Sequence, residues 1–428
     1  MTERSDPGQV DTVRAAAAEE GASQVEALHV TRRKAPPHST ALPDAHDTAP
    51  RTAAARLLAL LHHSGPLSRS SATSALGLAR SAMGTALAEL DELGLVRTTA
   101  DTTAASGRGR PSPLVIPAPT APFVVAAVLR PNCLKVATGT IGAPIAPPRH
   151  QPLSARDFEP ERLAAIVAEQ IEHAIRRQDG VARVCAGITV AIPGAIRESD
   201  GFVRSSLCYG WTDVPFGQLM TPLLPNFPLH FDRDSNLTAM AEYRRGAAAG
   251  ASNALVLTCD GKGIGGALMN AGTLFTGGGH AVEAGHLMVD SRGEACPCGS
   301  RGCLERYADG TALARAAAVP TAGEALQSTT PRARRARRRA AGILGSGLAG
   351  LATVLDPDRI VLTGFLADLL AAEPNVLPRE IHRGSLIART RGIQPVPGEL
   401  AEPMLTGAVD HAFAPLLRDP QRVRPTGR

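Results

Sequence analysis

Apolar residues acquire a regular spacing only after about residue 50. Residues 1–50 are rich in Ala, Pro, Ser, Thr and charge, and we read them as a disordered tail. From Arg51 the pattern changes: Leu57, Leu58, Leu60 and Leu61 make an apolar helix face. Pro66 and Ser68 open a short second helix containing Ala72 and Ala75, which Gly77 closes. A third helix from near Ala79 to Leu93 carries Met83, Ala86, Leu87 and Leu90 on its buried side. Gly94 ends it and Leu95-Val96 starts a strand. A polar loop runs through Gly107-Arg108-Gly109-Arg110-Pro111 to a return strand at Leu114–Ile116. Pro117–Pro122 reads as a proline-rich hinge. Beyond it, strands are expected at Phe123–Leu129, twice more before residue 152, and at Val184–Ile192, with a helix over Glu159–Arg177. The pattern begins afresh at Ala254–Cys259 and Gly263–Asn270, and long helices follow. Two similar mixed halves predict a bilobal α/β fold with a cleft between the lobes, where ligands commonly bind.

Helix, turn, helix and a two-stranded wing predict a winged helix-turn-helix that binds DNA. Arg80, Ser81 and Thr85 would face the major groove from the later helix, with Arg69 beside them. Arg108 and Arg110 at a glycine-flanked tip suit a narrow minor groove, whose negative potential favours arginine. The other reading of these residues is a small helical packing module without a nucleic acid partner. The domains expected are thus a tail over 1–50, a DNA-binding unit over 51–117, a ligand-binding and oligomerisation unit over 118–420, and a short C-terminal tail over 421–428.

Composition changes this picture little. The 428 residues suffice for two or three domains, and the formal charge of +5 is mild. Six arginines fall in one run, Arg332–Arg339, at the start of an expected long helix. Such a run serves as a solvated face, a subunit contact or a phosphate-binding patch, and the sequence does not choose among them. No stretch of eighteen uninterrupted apolar residues is present, so no membrane helix is expected and the cytoplasm is the default location.

The densest chemistry lies at Cys296–Glu305, C-P-C-G-S-R-G-C-L-E, with His286 ten residues upstream. Cys296, Cys298, Cys303 and His286 make a four-ligand set for one Zn2+, and Pro297, Gly299 and Gly302 let the loop fold back on an ion. Four protein ligands leave no open position, so such a zinc is structural. The alternative is a chance cluster of buried or redox cysteines.

With these residues in hand, the chain resembles the ROK family of repressors and sugar kinases, and specifically its NagC/XylR-type regulators. The resemblance covers about residues 51–417. It implies a winged helix-turn-helix followed by a bilobal, actin-like, sugar-kinase-type domain. It implies zinc on His286 and the three cysteines, with Glu283, His286 and Glu305 facing a sugar. Pro193-Gly194 resembles the family's turn beside the sugar, and Gly261-Lys262-Gly263 its second phosphate loop. Asp232–Asn236 resembles the segment holding the catalytic base, which places Asp234 in that role.

The departures point away from phosphoryl transfer. Where family kinases carry D-x-G-G-T, this chain reads V-L-R-P-N-C over Val128–Cys133, so the Asp and both glycines are gone. Without the glycines, backbone cannot approach a triphosphate in the same way. Lys262 replaces a threonine, and the later double glycine is Gly364-Phe365. Arg233 and Leu207 stand where the family has sugar-binding Asn residues. Arg233 is expected either to meet an acidic or phosphorylated ligand, or to face outward or pair with an Asp. Asp234 reads as a hydroxyl acceptor or as a helix N-cap. The expectation is a non-enzymatic, DNA-binding repressor of carbohydrate-related genes. It would act as a homodimer or homotetramer on an operator and respond to a sugar-like effector held near Gly194, Arg233, Asp234, Glu283, His286 and Glu305. The rival readings are a sugar kinase with an added DNA-binding domain and a regulator needing no ligand.

Overall fold

A computed structural model describes residues 52–99, 112–178 and 183–423. The expected N-terminal tail, the wing tip with Arg108 and Arg110, and residues 424–428 lie outside the described residues.

The first unit contains α1 (Ala53–Ser64), β1 (Leu67–Ser68), α2 (Arg69–Leu76), α3 (Arg80–Glu92), β2 (Val96–Thr99) and β3 (Leu114–Pro117). Thr52 caps α1 by accepting from the Ala55 amide at 3.0 Å, and Ser68 caps α2 through the Ser71 amide. Gly77 ends α2 at φ 60°, a left-handed conformation open to glycine. Leu57, Leu58, Leu61, Met83 and Leu90 are fully buried, as their spacing requires. The strands pair antiparallel in the order β1-β3-β2. The two-residue β1 has no sequence signal, because it is too short to show a period.

The remaining chain forms two α/β halves. The first comprises β4 (Phe123–Arg130), β5 (Cys133–Thr140), β6 (Arg149–Pro152), α4 (Pro160–Arg176), β7 (Cys185–Ile192), β8 (Ala195–Arg197), β9 (Phe202–Ser206), β10 (Trp211–Val214), α5 (Phe216–Met220), β11 (Leu229–Arg233) and α6 (Asp234–Arg245). The second comprises β12 (Asn253–Cys259), β13 (Gly265–Asn270), β14 (Thr273–Leu274), α7 (Glu305–Ala308), α8 (Gly310–Ala317), α9 (Ala322–Gln327), α10 (Pro331–Leu355), β15 (Arg359–Gly364), α11 (Phe365–Ala372), α12 (Val376–Gly384), α13 (Leu386–Arg391), β16 (Pro395–Pro397) and α14 (Pro403–Arg418).

The duplication expected from the pattern holds for the two five-stranded sheets, and the first half adds a small sheet in the order β10-β9-β8. The five-stranded sheets run β11-β7-β4-β5-β6 and β14-β13-β12-β15-β16. In each half the first strand pairs antiparallel with the second and parallel with the fourth. β4 is buried on both faces, which explains its unbroken apolar run. Phe123, Val125, Ala127 and Leu129 pack in the same apolar cluster as α4, while Val124, Ala126 and Val128 face the opposite cluster with α14.

Two helices join the halves. α14 packs on β4 and β7, α6 packs on β12 and β13, and the two helices pack on each other. Gly407 makes that crossing possible, since a Cβ there would run into the Leu237 carbonyl. The expected hinge is also packed. Ala121 is buried, the Ala118 amide donates to the Leu95 carbonyl at 3.0 Å, and α1 shares one apolar cluster with β4 and α14. The segment expected to begin the C-terminal tail, 421–423, lies in a helical turn whose Gln421 donates to Glu89 of α3 at 2.9 Å.

Candidate effector cleft and metal centre

The strand ends of the two halves border a cleft of about 1110 Å³. The sequence-derived candidates Gly194, Arg233, Asp234, Glu283, His286 and Glu305 all line it. Gly194 holds φ 128° against the Ser205 backbone, so its lack of a side chain is demanded by packing as well as by access. Asp234 is the first residue of α6 rather than its N-cap, which is Arg233; its Oδ1 accepts from the Ser235 amide at 2.7 Å. Burial pushes the Asp234 carboxyl above its ordinary range, against the opposing influence of that amide, Arg233 and Arg130.

Arg233 is neither free for a ligand nor turned outward. It is buried, ion-paired with Glu283, and donates to Asn236 Oδ1 at 3.0 Å and to the Gly266 and Ala281 carbonyls at 3.1 and 2.8 Å. It is paired, as one alternative had it, but with Glu283 rather than an Asp, and Glu283 is one of the residues expected to face the sugar. Leu207 lines the cleft and is exposed.

At the other end, the lobes are bridged. Val128 is fully buried inside β4, while Arg130 at the strand's end forms an ion pair with Asp260, next to Gly261-Lys262-Gly263. Arg130 stands where the resemblance places the first glycine of a phosphate loop. Lys135 adds a second link, donating to both carboxylate oxygens of Glu402 at 2.7 and 3.0 Å. Sequence reasoning registered the lost glycines and missed the new ion pair. A signal existed: Arg130 and Asp260 end, or directly follow, the equivalent first strands of the two halves, with opposite charges.

The cysteine loop forms a compact donor set. One donor atom from each of His286, Cys296, Cys298 and Cys303 lies within 4.8 Å of the others. Cys296 Sγ is 3.7 Å from His286 Nδ1, and Cys298 Sγ is 3.6 Å from Cys303 Sγ. Tetrahedral zinc with one His and three Cys spaces donors by ~3.5–3.8 Å, so these two separations match and the donor set suits a metal ion of that kind. Gly302 allows the fold-back, since a Cβ there would strike the Asp290 backbone. His286 presents Nδ1 to the cysteines and also borders the cleft. Glu305 Oε1 lies 3.3 Å from Cys296 Sγ, so the cysteine loop and this cleft carboxylate are immediate neighbours.

On the first unit, Arg80, Ser81 and Thr85 are exposed on one stretch of α3. Arg69 is half-buried, with its guanidinium lying across Gly84 of α3. Much of the arginine run is fastened internally. Arg332 donates to the Ala316 carbonyl, Arg337 to those of Ala325 and Ser328, and Arg337 and Arg338 approach Glu373. Arg334 and Arg335 are exposed. No helix among the described residues is long and apolar enough to cross a membrane.

Duplicated halves, a cleft at the strand ends and a His/Cys3 loop at its rim define a sugar-kinase-type body. The chain belongs to the ROK family: the family model matches residues 150–383, more than half of its length. It is 33% identical over 202 residues to a glucokinase of Halalkalibacterium halodurans, covering 42% of this chain and 61% of that one. It is 28% identical over 254 residues to a putative xylose repressor of a Caldicellulosiruptor species, covering 54% and 61%. The match thus spans about three-fifths of these relatives. A crystal structure described as a ROK family transcriptional regulator, a homologue of the Escherichia coli MLC protein, shares the fold with TM-score 0.70. It is 20% identical and covers 86% of this chain and 98% of its own.

Proposed function

We propose that this protein is a DNA-binding transcriptional repressor whose cleft takes a sugar or sugar derivative. Residues 51–117 serve as a winged helix-turn-helix, with Arg80, Ser81 and Thr85 of α3 in the major groove and Arg108 and Arg110 on the wing. A homodimer matches a palindromic operator. Asp234, Glu283, His286 and Glu305 offer hydroxyl acceptors and donors to the effector, and one structural Zn2+ on His286, Cys296, Cys298 and Cys303 holds the loop that carries them. The effector acts by binding one arrangement of the protein better than another.

The observation that carries this reading is the Arg130–Asp260 pair. It puts a guanidinium and a carboxylate where a nucleotide's phosphates would need glycine backbone. Likeness to the regulator structure adds support, because its coverage exceeds what residues 118–420 alone could supply. The test is selection of bound sequences from a random DNA pool, followed by competition with D-xylose, D-glucose and their 6- or 5-phosphates. A selected motif released by one sugar supports the reading; absence of any sequence preference overturns it. Loss of binding is expected for Arg80→Ala combined with Arg108→Ala.

A kinase reading is favoured by Asp234, which keeps a carboxylate at the start of α6 in the cleft. ATP-dependent phosphorylation of a sugar, abolished by Asp234→Asn, would establish it. A ligand-independent regulator is favoured by the Arg233–Glu283 pair, which already satisfies one sugar-facing carboxylate. Operator affinity unchanged across the sugar panel would support that reading.

A further inference from the structure

A buried charged cluster lies at the junction of α1, α6 and α14, away from the cleft. Asp410 of α14 is fully buried, and His62 of α1 is 2% exposed. His62 Nε2 lies 2.9 Å from Asp410 Oδ1 and 2.9 Å from Arg245 Nη2. Arg245 also donates to Asp410, and Arg244 approaches its other oxygen at 3.8 Å. His63 completes the group, and the His62 ring packs edge-on against Phe413.

His62, His63 and Asp410 are close enough to suggest a metal site. The two guanidiniums exclude that use, because a divalent cation would be placed against positive charge already hydrogen-bonded to its carboxylate ligand. The carboxylate is held ionised by this company. Burial opposes its charge, but His62, Arg245 and Arg244 together keep it down at about 2. The cluster is therefore a permanent charged joint between three helices.

Its position gives it a task. Arg244 and Arg245 end α6, the helix whose first residue is Asp234 in the cleft. At 1.5 Å per residue the two ends of this helix are about 16 Å apart. The helix is gripped near its C-terminus by Glu242, which is fully buried and accepts from the Ala247, Glu399 and Leu400 amides at 2.8, 3.2 and 3.2 Å. It is gripped in its middle by the Gly407 crossing with α14. Held at its middle and near its C-terminus, α6 resists bending, and in the joint proposed below it moves as one body with these contacts, so that a change at Asp234 is carried to Arg245. Asp410 then passes it to His62, on the first helix of the 51–117 unit. Hydrogen bonds between buried charges have narrow geometric tolerance, and the alternative to a made pair is an unpaired buried charge.

We propose that the His62–Asp410–Arg245 cluster is the joint through which the state of the cleft sets the position of the first unit. The regulatory use of this joint rests on the repressor reading; its existence does not. The test is a double-mutant cycle on the full chain, read by hydrogen–deuterium exchange in residues 53–64. Sites this far apart normally act additively. Asp234→Asn is expected to change α1 exchange at least threefold when Asp410 is present, and not detectably in an Asp410→Asn background. Additive effects overturn the proposal. If Asp410→Asn fails to fold, His62→Gln, which keeps the carboxylate and its arginines, supplies the second background with the same two outcomes. The cycle needs neither DNA nor ligand. A failed sugar screen would thus remove the effector reading and leave the joint, whereas additivity removes the joint alone.

Discussion

Arg130 at the end of β4 pairs with Asp260, just beyond β12, so a single ion pair ties together the equivalent strand ends of the two halves. The arrangement follows from duplication. Equivalent strands end at the same cleft, and one end carries a cation where the other carries an anion.

The pair is partly solvated, with side chains 16% and 37% exposed, so its worth in stability is ~0.5–1 kcal/mol. Its larger effect is on motion between the lobes. Arg130→Ala is expected to raise amide exchange in residues 260–264 several-fold while lowering the midpoint of thermal unfolding only slightly. Unchanged exchange there would show that the pair does not hold the lobes together.

Arg233→Ala should cost more. It removes a buried guanidinium serving Glu283, Asn236 and two backbone carbonyls. The loss of these charge-assisted bonds is worth about 2–3 kcal/mol, reduced from a fully buried pair because Glu283 is 38% exposed. Urea unfolding measures it. Arg233→Lys should recover little, since one ammonium cannot reach the same spread of acceptors.

Metal analysis of the purified chain should find about one zinc per chain, and close to none in Cys303→Ser or after prolonged chelation. Removal should lower the unfolding temperature and raise proteolytic cleavage within residues 287–302. Full zinc content in Cys303→Ser would contradict the four-ligand assignment.

Acidification should destabilise the fold between about pH 6.5 and 4. Burial lowers His63 and His230 from 6.5 to about 4, so the unfolded chain takes up protons that the folded chain refuses. Each contributes a loss of up to about 3 kcal/mol as pH falls through that window. Asp234, also raised by burial, acts oppositely, and so does Asp232: burial raises it from 3.8 to about 6, so its folded form binds a proton first and it gains stability as pH falls. It offsets roughly one histidine. Combining His63→Gln with His230→Gln should flatten or reverse the dependence, measured as urea midpoints at pH 4.5, 5.5 and 6.5. An unaltered slope would assign the acid sensitivity elsewhere.

Much of the architecture was legible because it depends on local rules. Gly77 and Gly94 marked helix ends, the unbroken run Phe123–Leu129 marked a strand covered on both sides, and the repeat at Ala254–Asn270 announced the second half. The cysteine loop was legible because four candidate ligands for one ion lie within eighteen residues of sequence, and the resemblance then directed attention to Asp234, Glu283 and Glu305.

What sequence could not supply were relationships between distant residues. The partner of Arg233 stayed open until the fold brought Glu283, fifty positions later, against it. Pro117–Pro122 looked like a hinge because prolines punctuate a chain, yet Ala121 and the α1 face find a common apolar cluster with α14, almost three hundred residues away. His62 and Asp410 carry no motif at all. The sequence by itself determined the main elements, the duplication, the candidate ligand set and the resemblance to the family, since these follow from spacing and motifs along the chain. The tertiary structure decided which charges meet, because the energy of a buried ion pair depends on three-dimensional distance and on the loss of water around it.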